Sequence, residues 1–186
     1  NPMYSHCGQV NWAEGTGLDC VQTNVDALLT KIRRKHKEYG IAEKPFVVVK
    51  ANNGTYGMGV MTVRDAKELD EVNRRTRNKM DVVKDGQHVT EVIIQEGVPT
   101  YERVNEAVAE PVVYMIDRYV VGGFYRMHAE RGIDENLNAP GASFVPLAFA
   151  ESSHLPKPGE KPGVSAPNRF YMYGVIGRLA MLAASY

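Results

Sequence analysis

Residues 46–63 constrain the fold of this chain more than any other segment. Two β-branched runs flank a loop that holds Gly54, Gly57 and Gly59, and Lys50 closes the first run. Such runs predict two strands joined by a flexible hairpin. Glycine has no Cβ, so backbone N–H groups in the loop can approach an anion closely, and Lys50 adds a positive charge. The segment therefore predicts a clamp for nucleotide phosphates; a glycine-rich hairpin without a ligand is the alternative.

The order of residues in this loop excludes two familiar phosphate-binding motifs. No Gly-Lys-Ser or Gly-Lys-Thr closes the loop, and a strand follows it, so it is not a Walker P-loop. Its glycines run Gly-x-x-Gly-x-Gly between two strands, which is not the dinucleotide-binding fingerprint. The prediction is thus a strand–lid–strand clamp of another kind.

Length and charge limit the class of protein. A chain of 186 residues is long enough for one domain or two small lobes that share a core. Lys plus Arg total 22 and so do Asp plus Glu, which argues against general nucleic-acid binding. Cys7 and Cys20 are not in a metal-ligand spacing and suit a reducing compartment, and no secretory signal leads the chain. We expect a cytoplasmic protein, and the Asn-Pro start suggests part of a longer one.

Patterning predicts three helices. Residues 1–24 are expected to be irregular, and a helix capped by Thr23 or Asn24 is expected to run to a stop at Gly40. Asp65 and Glu68 form a capping-box pattern ahead of a second helix, over 66–80. Residues 170–186 are too few and too polar for a membrane span, and they predict a buried third helix.

Strands alternate with these helices. Asp85-Gly86 predicts a turn between 81–84 and 89–95, and Asp117-Arg118 predicts a turn between 112–116 and 119–127. Residues 152–168 hold four prolines and two glycines and predict a surface loop. The pattern indicates an α+β fold in which antiparallel sheets are covered on one face.

The order of four motifs resembles the ATP-grasp superfamily. The motifs are the lysine and glycine hairpin, the strand end at 95–99, the strand that carries Arg126, and the loop at 135–141. The amino-acid sequences of these motifs, together with that of the closing segment 170–179, are similar to those of the proteobacterial glutamate–cysteine ligases of ATP-grasp type. The resemblance covers most of residues 25–186. It implies two lobes, about 25–96 and 97–186, whose antiparallel sheets clasp ATP.

The resemblance implies a set of ATP contacts in the first lobe. Lys50 would bind the α- and β-phosphates, and the loop would fold over them through Asn53, Gly54, Gly57 and Gly59. Lys31 would add a second charge, although it lies in a basic run where a solvated helix lysine is an equal interpretation. Gln95 to Val98 would form the hinge at the adenine edge, and Glu96 or Glu102 could hold the ribose hydroxyls.

The second lobe supplies the remaining candidates. Arg126 lies in an apolar strand and would stabilise the transferring phosphoryl group, with a structural salt bridge as the alternative. Glu135, Asn136 and Asn138 offer oxygen ligands for Mg²⁺. The chain departs here from the common ATP-grasp pattern, because it ends before the later acidic metal ligands of that pattern.

These features indicate an ATP-dependent carboxylate–amine ligase that works through an acyl phosphate. The resemblance implies that the glutamate γ-carboxylate is joined to the amine of cysteine, the first step of glutathione synthesis. The expected partners are small molecules (ATP, glutamate, cysteine) with Mg²⁺, and neither nucleic acid nor a membrane. Two alternatives remain: a ligase with another amino-acid acceptor, and a nucleotide-binding module inactive without an upstream region. No feature of the sequence indicates an oligomeric state.

Overall fold

The computed structural model describes residues 3–52, 59–84, 87–147 and 169–185. The chain divides into two compact units. The first comprises Asn1–Pro99 and Gly132–Ala139, and the second comprises Thr100–Arg131 and Pro140–Tyr186. The first unit thus takes in a short segment, Gly132–Ala139, from the region expected to form the second lobe.

The first unit is built on a four-stranded antiparallel sheet with strand order β1-β6-β2-β3. Strands β4 and β5, which come between α2 and β6 in the sequence, pair with each other as a separate two-stranded antiparallel ladder. The elements are β1 (Tyr4–Cys7), α1 (Leu18–Tyr39), β2 (Val47–Ala51), β3 (Val60–Val63), a 3₁₀ turn (Ala66–Leu69), α2 (Arg74–Met80), β4 (Val83–Lys84), β5 (Gln87–His88) and β6 (Val92–Glu96).

Helix α1 covers one face of this sheet. Its buried side chains recur at helical spacing and share one core with alternate residues of the strands. In β2 the buried residues are Val47, Val49 and Ala51, so the intervening side chains point to the opposite face. The helix ends at Gly40, whose φ of 64° is favourable for glycine, and this confirms the predicted stop.

Residues 3–24 contain strand β1 and the first turns of α1, which corrects the expectation of an irregular segment. Strand β1 pairs with β6, and α1 begins at Leu18, so Asn24 lies inside the helix and does not cap it. The Asn24 side chain instead accepts a hydrogen bond from Ser5 Oγ at 2.5 Å. Cys7 and Cys20 form a disulfide between β1 and the first turn of α1, which differs from the expectation that these cysteines suit a reducing compartment.

The prediction of a single helix over 66–80 is wrong. The capping box at Asp65 and Glu68 is confirmed, but it heads only the 3₁₀ turn. A second cap restarts the chain, because Asn73 Oδ1 accepts from the backbone N–H of Thr76 at 2.9 Å and begins α2. The spacing of apolar residues alone predicts one helix, but the two N-caps divide this segment into a 3₁₀ turn and a short α-helix.

The second unit carries a four-stranded antiparallel sheet with strand order β10-β9-β8-β7. The predicted hairpin across Asp117-Arg118 is confirmed, with Asp117 at a φ of 51°. A register shift lies in this hairpin at Tyr114/Met115. The elements are β7 (Arg103–Val104), β8 (Ala107–Ile116), β9 (Tyr119–His128), β10 (Ser143–Pro146) and α3 (Arg169–Ala184).

Helix α3 packs on this sheet through only one side, which corrects the expectation of a buried helix. Tyr173 is buried against Tyr125, and a Cβ added at Gly177 would lie 2.6 Å from Met115 Sδ, so glycine allows close approach. Other apolar side chains of α3, such as Leu179, are exposed. Across the described parts of the chain, no helix has the length and apolarity to cross a membrane.

The predicted α+β class is confirmed: each of the two four-stranded antiparallel sheets is covered on one face by a helix. The predicted surface loop at 152–168 and the turn residues Asp85 and Gly86 lie outside the described residues.

Candidate functional site

The face of the first sheet opposite α1 carries two of the predicted ATP contacts. Lys50 alternates with the buried Val49 and Ala51, and it pairs across the ladder with Ile93 of β6. Gln95 lies two residues further along β6, on the same face, because alternate residues of a strand share a face. Both side chains are half-buried. The structure therefore brings Lys50 and Gln95 to one surface, as an ATP site would require.

The structure describes the glycine loop only at its end. Asn53, Gly54 and Gly57 lie outside the described residues, so their predicted phosphate contacts stay predictions. Gly59 has a φ of 62°, and a Cβ there would lie 2.6 Å from Val82 Cγ2. This position therefore requires glycine for both its backbone conformation and its packing.

Segment 132–139 is attached beside Lys50 in the first unit. Thr62 of β3 pairs with Val48 and so points to the same face as Lys50. Its Oγ1 donates a hydrogen bond to the backbone oxygen of Asp134 at 3.2 Å, and Arg64 forms an ion pair with the Asp134 carboxylate. The sheet face that holds Lys50 thus also holds the polar loop predicted to bind metal.

The loop itself uses its polar side chains internally. Glu135 Oε2 accepts from the backbone N–H of Gly132 at 2.7 Å, and Asn136 Oδ1 accepts from that of Asn138 at 3.0 Å. Leu137 between them is buried. Among the described residues no group of three His, Cys, Asp or Glu side chains could hold a metal ion. The geometry does not support Glu135, Asn136 and Asn138 as a Mg²⁺ site by themselves, and we assign no protein ligand to the metal.

Glu96 faces α1 and not the open face, because it alternates with Gln95. Lys35 Nζ lies 2.8 and 3.0 Å from its two carboxylate oxygens, and the backbone N–H of Met3 donates to it at 3.0 Å. Burial acts to raise the pKa of Glu96, but these hydrogen bonds and the charges of Lys35 and His36 hold it below its usual value. Both carboxylate oxygens are therefore occupied, and the ribose-binding role suggested for Glu96 is replaced by a structural ion pair.

The predicted hinge continues from Glu96 through Gly97 to Val98. The Gly97 N–H donates to Phe46 O at 2.9 Å, and a Cβ at Gly97 would lie 2.0 Å from the buried Phe46 ring. Val98 is exposed. Packing of Phe46 on the Gly97 backbone fixes where the chain leaves the sheet, and the adenine contact at Val98 stays a prediction.

Lys31 is not brought to Lys50. It lies on α1, which covers the sheet face opposite to the one that Lys50 faces. Its neighbours are Arg34, Lys35 and Glu38 on the same helix. A shared phosphate site for Lys31 and Lys50 is therefore not supported by the geometry.

Arg126 lies on the open face of the second sheet, between the buried Tyr125 and Met127. Its Nε is 2.7 Å from Glu110 Oε1 on β8, its cross-strand partner. This Nε is buried and makes no aligned hydrogen bond, so charge attraction holds the pair. The salt bridge weighed as the alternative is thus present. Such a pair does not prevent the outer guanidinium nitrogens from meeting an anion, and a catalytic role stays a proposal.

Two polar contacts in the second unit were not anticipated from the sequence. The hydroxyl groups of Tyr125 and Tyr173 are 3.0 Å apart in the core between the sheet and α3. Burial, with hydrogen bonds to Tyr125 and Glu102, raises the pKa of Tyr173 well above its usual value, so this hydroxyl stays protonated. His128 is also buried; its Nε2 lies 3.1 Å from Pro140 O, and its Nδ1 accepts from the backbone of Glu130. Both contacts have a structural role.

The residues that attach segment 132–139 were also missed. Alternation along β3 places Thr62 on the open face and could have found it. Nothing in the sequence signals that Asp134, about seventy positions later, meets Thr62 and Arg64.

Comparison with known proteins identifies the class. The sequence matches the model of the glutamate–cysteine ligase family, GshA, over residues 1–186, so the chain belongs to this family and the resemblance seen in the motifs is confirmed. Among solved structures it is similar to one titled "Putative gamma-glutamylcysteine synthetase" from Methylobacillus flagellatus KT, at 55% identity and a TM-score of 0.81. The match covers 99% of this chain and 43% of that chain. No curated protein matches the chain.

Proposed function

We propose that this chain provides the ATP-binding part of a ligase that joins the γ-carboxylate of glutamate to the amine of cysteine. The observation that carries the proposal is the family match over residues 1–186, taken with Lys50 and Gln95 on one open sheet face. The two sheets, each open on one face, are compatible with the ATP-grasp arrangement, which we propose for this chain.

The reaction has two balanced steps. A γ-carboxylate oxygen of glutamate attacks the γ-phosphorus of ATP, the bond from that phosphorus to the β,γ-bridging oxygen breaks, and ADP leaves behind an acyl phosphate. The amine nitrogen of cysteine then attacks the acyl carbon, inorganic phosphate departs, and the nitrogen loses a proton. No side-chain nucleophile is needed, so catalysis depends on positioning and on stabilising phosphate charge.

Lys50 is the residue proposed to contact the phosphates. A lysine ammonium is a compact charge that suits a phosphate oxygen, and Lys50 is half-buried on β2, an interior strand of its sheet. Partial burial strengthens its attraction to phosphate over that of a fully solvated lysine. The loop that ends at Gly59 would cover the nucleotide, because its backbone can approach the phosphates without a Cβ.

Arg126 is proposed to act on the charge that develops on the acyl phosphate. It is held by Glu110 near the end of the ten-residue strand β9, so its position is fixed before substrates bind. A preorganised cation of this kind can stabilise a transition state at little further cost in reorganisation.

Product analysis tests the proposal. The full-length protein is incubated with ATP, Mg²⁺, glutamate and cysteine, and products are separated by chromatography with mass detection. We expect ADP, phosphate and a γ-glutamyl dipeptide in equal amounts. ADP release that only another amino acid stimulates would overturn the cysteine assignment, and ATP binding without amino-acid-stimulated ADP release would overturn the ligase activity.

A further inference from the structure

Strand β1 adds two side chains to the open face of the first sheet. The Ser5 hydroxyl is hydrogen-bonded to α1, and Cys7 is joined to the same helix by the disulfide, so both residues face α1. Successive residues of a strand point to opposite faces, so Tyr4 and His6 project from the open face that Lys50 occupies. The face proposed to bind ATP therefore extends across β6 to the edge strand β1.

The register of β1 places Tyr4 beside Gln95. These two residues are paired directly between β1 and β6, so their side chains are neighbours on one face. Lys50 pairs with Ile93, which lies two residues before Gln95 on β6. Two strand spacings and two residues of rise separate the Cα atoms of Tyr4 and Lys50, a distance of about 12 Å. One extended nucleotide can span this distance, with its base at one end and its phosphates at the other.

The two ends of this face differ in chemistry. The Lys50 end carries a positive charge and adjoins the glycine loop, because the backbone N–H of Ala51 donates to Gly59 O at 3.1 Å. The Gln95 end carries an aromatic ring and a carboxamide, and β6 ends there. A nucleotide on this face would therefore place its phosphates near Lys50 and its base near Tyr4.

The Tyr4 ring is available to a ligand. Tyr4 is 69% exposed and makes no hydrogen bond or ring contact with another residue that the structure describes. Aromatic side chains bind nucleobases by stacking on their flat faces. The neighbouring carboxamide of Gln95 has both donor and acceptor atoms, as the edge of a base does. The ring and the amide together suit a flat heteroaromatic group.

We propose that Tyr4 stacks on the nucleobase of the bound nucleotide while the Gln95 side chain pairs with the edge of that base. The assignment rests on the proposed function, because it takes ATP to lie on the face of Lys50. It extends the site to β1, which none of the sequence motifs includes. Tyr4 thereby favours a nucleotide over a polyphosphate that has no base.

Calorimetric titration of the full-length protein, with Mg²⁺ and without amino acids, tests this contact. ATP and inorganic tripolyphosphate are titrated separately, because tripolyphosphate has the phosphate chain but neither base nor ribose. We expect the wild type to bind ATP more tightly than tripolyphosphate. Tyr4→Ala should weaken ATP binding about tenfold, within the range for loss of a stacking ring, and should leave tripolyphosphate binding unchanged.

Two further variants identify the source of the effect. Tyr4→Phe keeps the ring and removes the hydroxyl group, so it should bind ATP as the wild type does. Tyr39→Ala removes an equally exposed tyrosine from the end of α1, the helix on the other face of the sheet, and should leave both titrations unchanged. The urea midpoint of Tyr4→Ala should match that of the wild type, because Tyr4 belongs to no core cluster.

The results separate this proposal from the ligase activity. Equal ATP affinity of Tyr4→Ala and the wild type would overturn the proposal, and so would equal losses for ATP and tripolyphosphate. A wild type that binds tripolyphosphate as tightly as ATP would also overturn it, and a loss in Tyr4→Phe as large as that in Tyr4→Ala would rule out stacking. The proposed function fails on a different observation: a wild type that binds ATP but shows no amino-acid-stimulated ADP release.

Discussion

Replacing Lys35 by Met should destabilise the first unit by removing the partner of a buried carboxylate. Glu96 is 6% exposed and Lys35 is 32% exposed, and Nζ lies 2.8 Å from Oε1. Removing one partner of a fully buried pair costs about 3–5 kcal/mol. An exposed pair contributes about 0–1 kcal/mol.

The expected cost lies between these limits. In the variant Glu96 keeps the N–H of Met3 at 3.0 Å but loses both contacts from Nζ. Because Lys35 is one-third exposed, water can reach part of the vacated space, so we expect a loss of about 2 kcal/mol in the free energy of unfolding. For a chain of this length that loss lowers Tm by about 4–8 °C.

Urea unfolding followed by circular dichroism measures this effect. Lys37→Met is the matched control, because Lys37 is exposed on the same helix. It should change the free energy of unfolding by under about 0.5 kcal/mol. Equal stability of Lys35→Met and wild type would refute the reasoning, since it would mean that Glu96 does not depend on the ion pair.

The Lys35–Glu96 ion pair predicts that the free energy of unfolding depends on pH. The folded pKa of Glu96 is lower than its unfolded value, so its contribution is fully present above the unfolded pKa. That contribution is lost as pH falls through the folded pKa, where the carboxylate is protonated and the pair breaks. Glu96→Gln should lack this component, so its stability should fall less than that of the wild type as pH is lowered below about 4.5.

Two further substitutions test packing and catalysis. Gly97→Ala should cost about 1–3 kcal/mol in urea unfolding, because its Cβ would overlap the Phe46 ring, whereas Gly8→Ala meets nothing within 4 Å and should be near neutral. Equal effects of the two would refute the packing argument. Arg126→Met should lower kcat about 100-fold, as for loss of a group that stabilises transition-state charge. Glu110→Gln keeps the Arg126 cation and should lower kcat much less. Equal losses of kcat in the two variants would indicate that the Arg126–Glu110 pair has only a structural role.

Local rules recovered much of the fold. Runs of β-branched residues located β2 and β9, and the glycine after the helical pattern located the end of α1. These predictions succeeded because each signal depends on a few neighbouring residues. The start of α1 could not be located in this way. It begins at Leu18, where the disulfide and the pairing of β1 with β6 order a segment that has few local signals of its own.

The candidate site shows the same division. Alternation places Lys50 on one sheet face, and the strand that carries Gln95 was recognised from its own residues. The partner of Glu96 was not predictable, because Lys35 is 61 positions away and is one of several cations in a basic run. Which of them meets the carboxylate depends on the angle at which α1 crosses the sheet, and sequence spacing does not encode that angle.

The most direct test of the central claim is ATP turnover by Lys50→Met. If Lys50 holds the phosphates, amino-acid-stimulated ADP release should fall at least about 100-fold, equivalent to about 3 kcal/mol of transition-state stabilisation. The urea midpoint should stay close to that of the wild type, because Lys50 is half-buried on the open face and belongs to no core cluster. Lys44→Met, an exposed neighbour ahead of the same strand, should turn over ATP normally. Wild-type turnover in folded Lys50→Met would contradict the account.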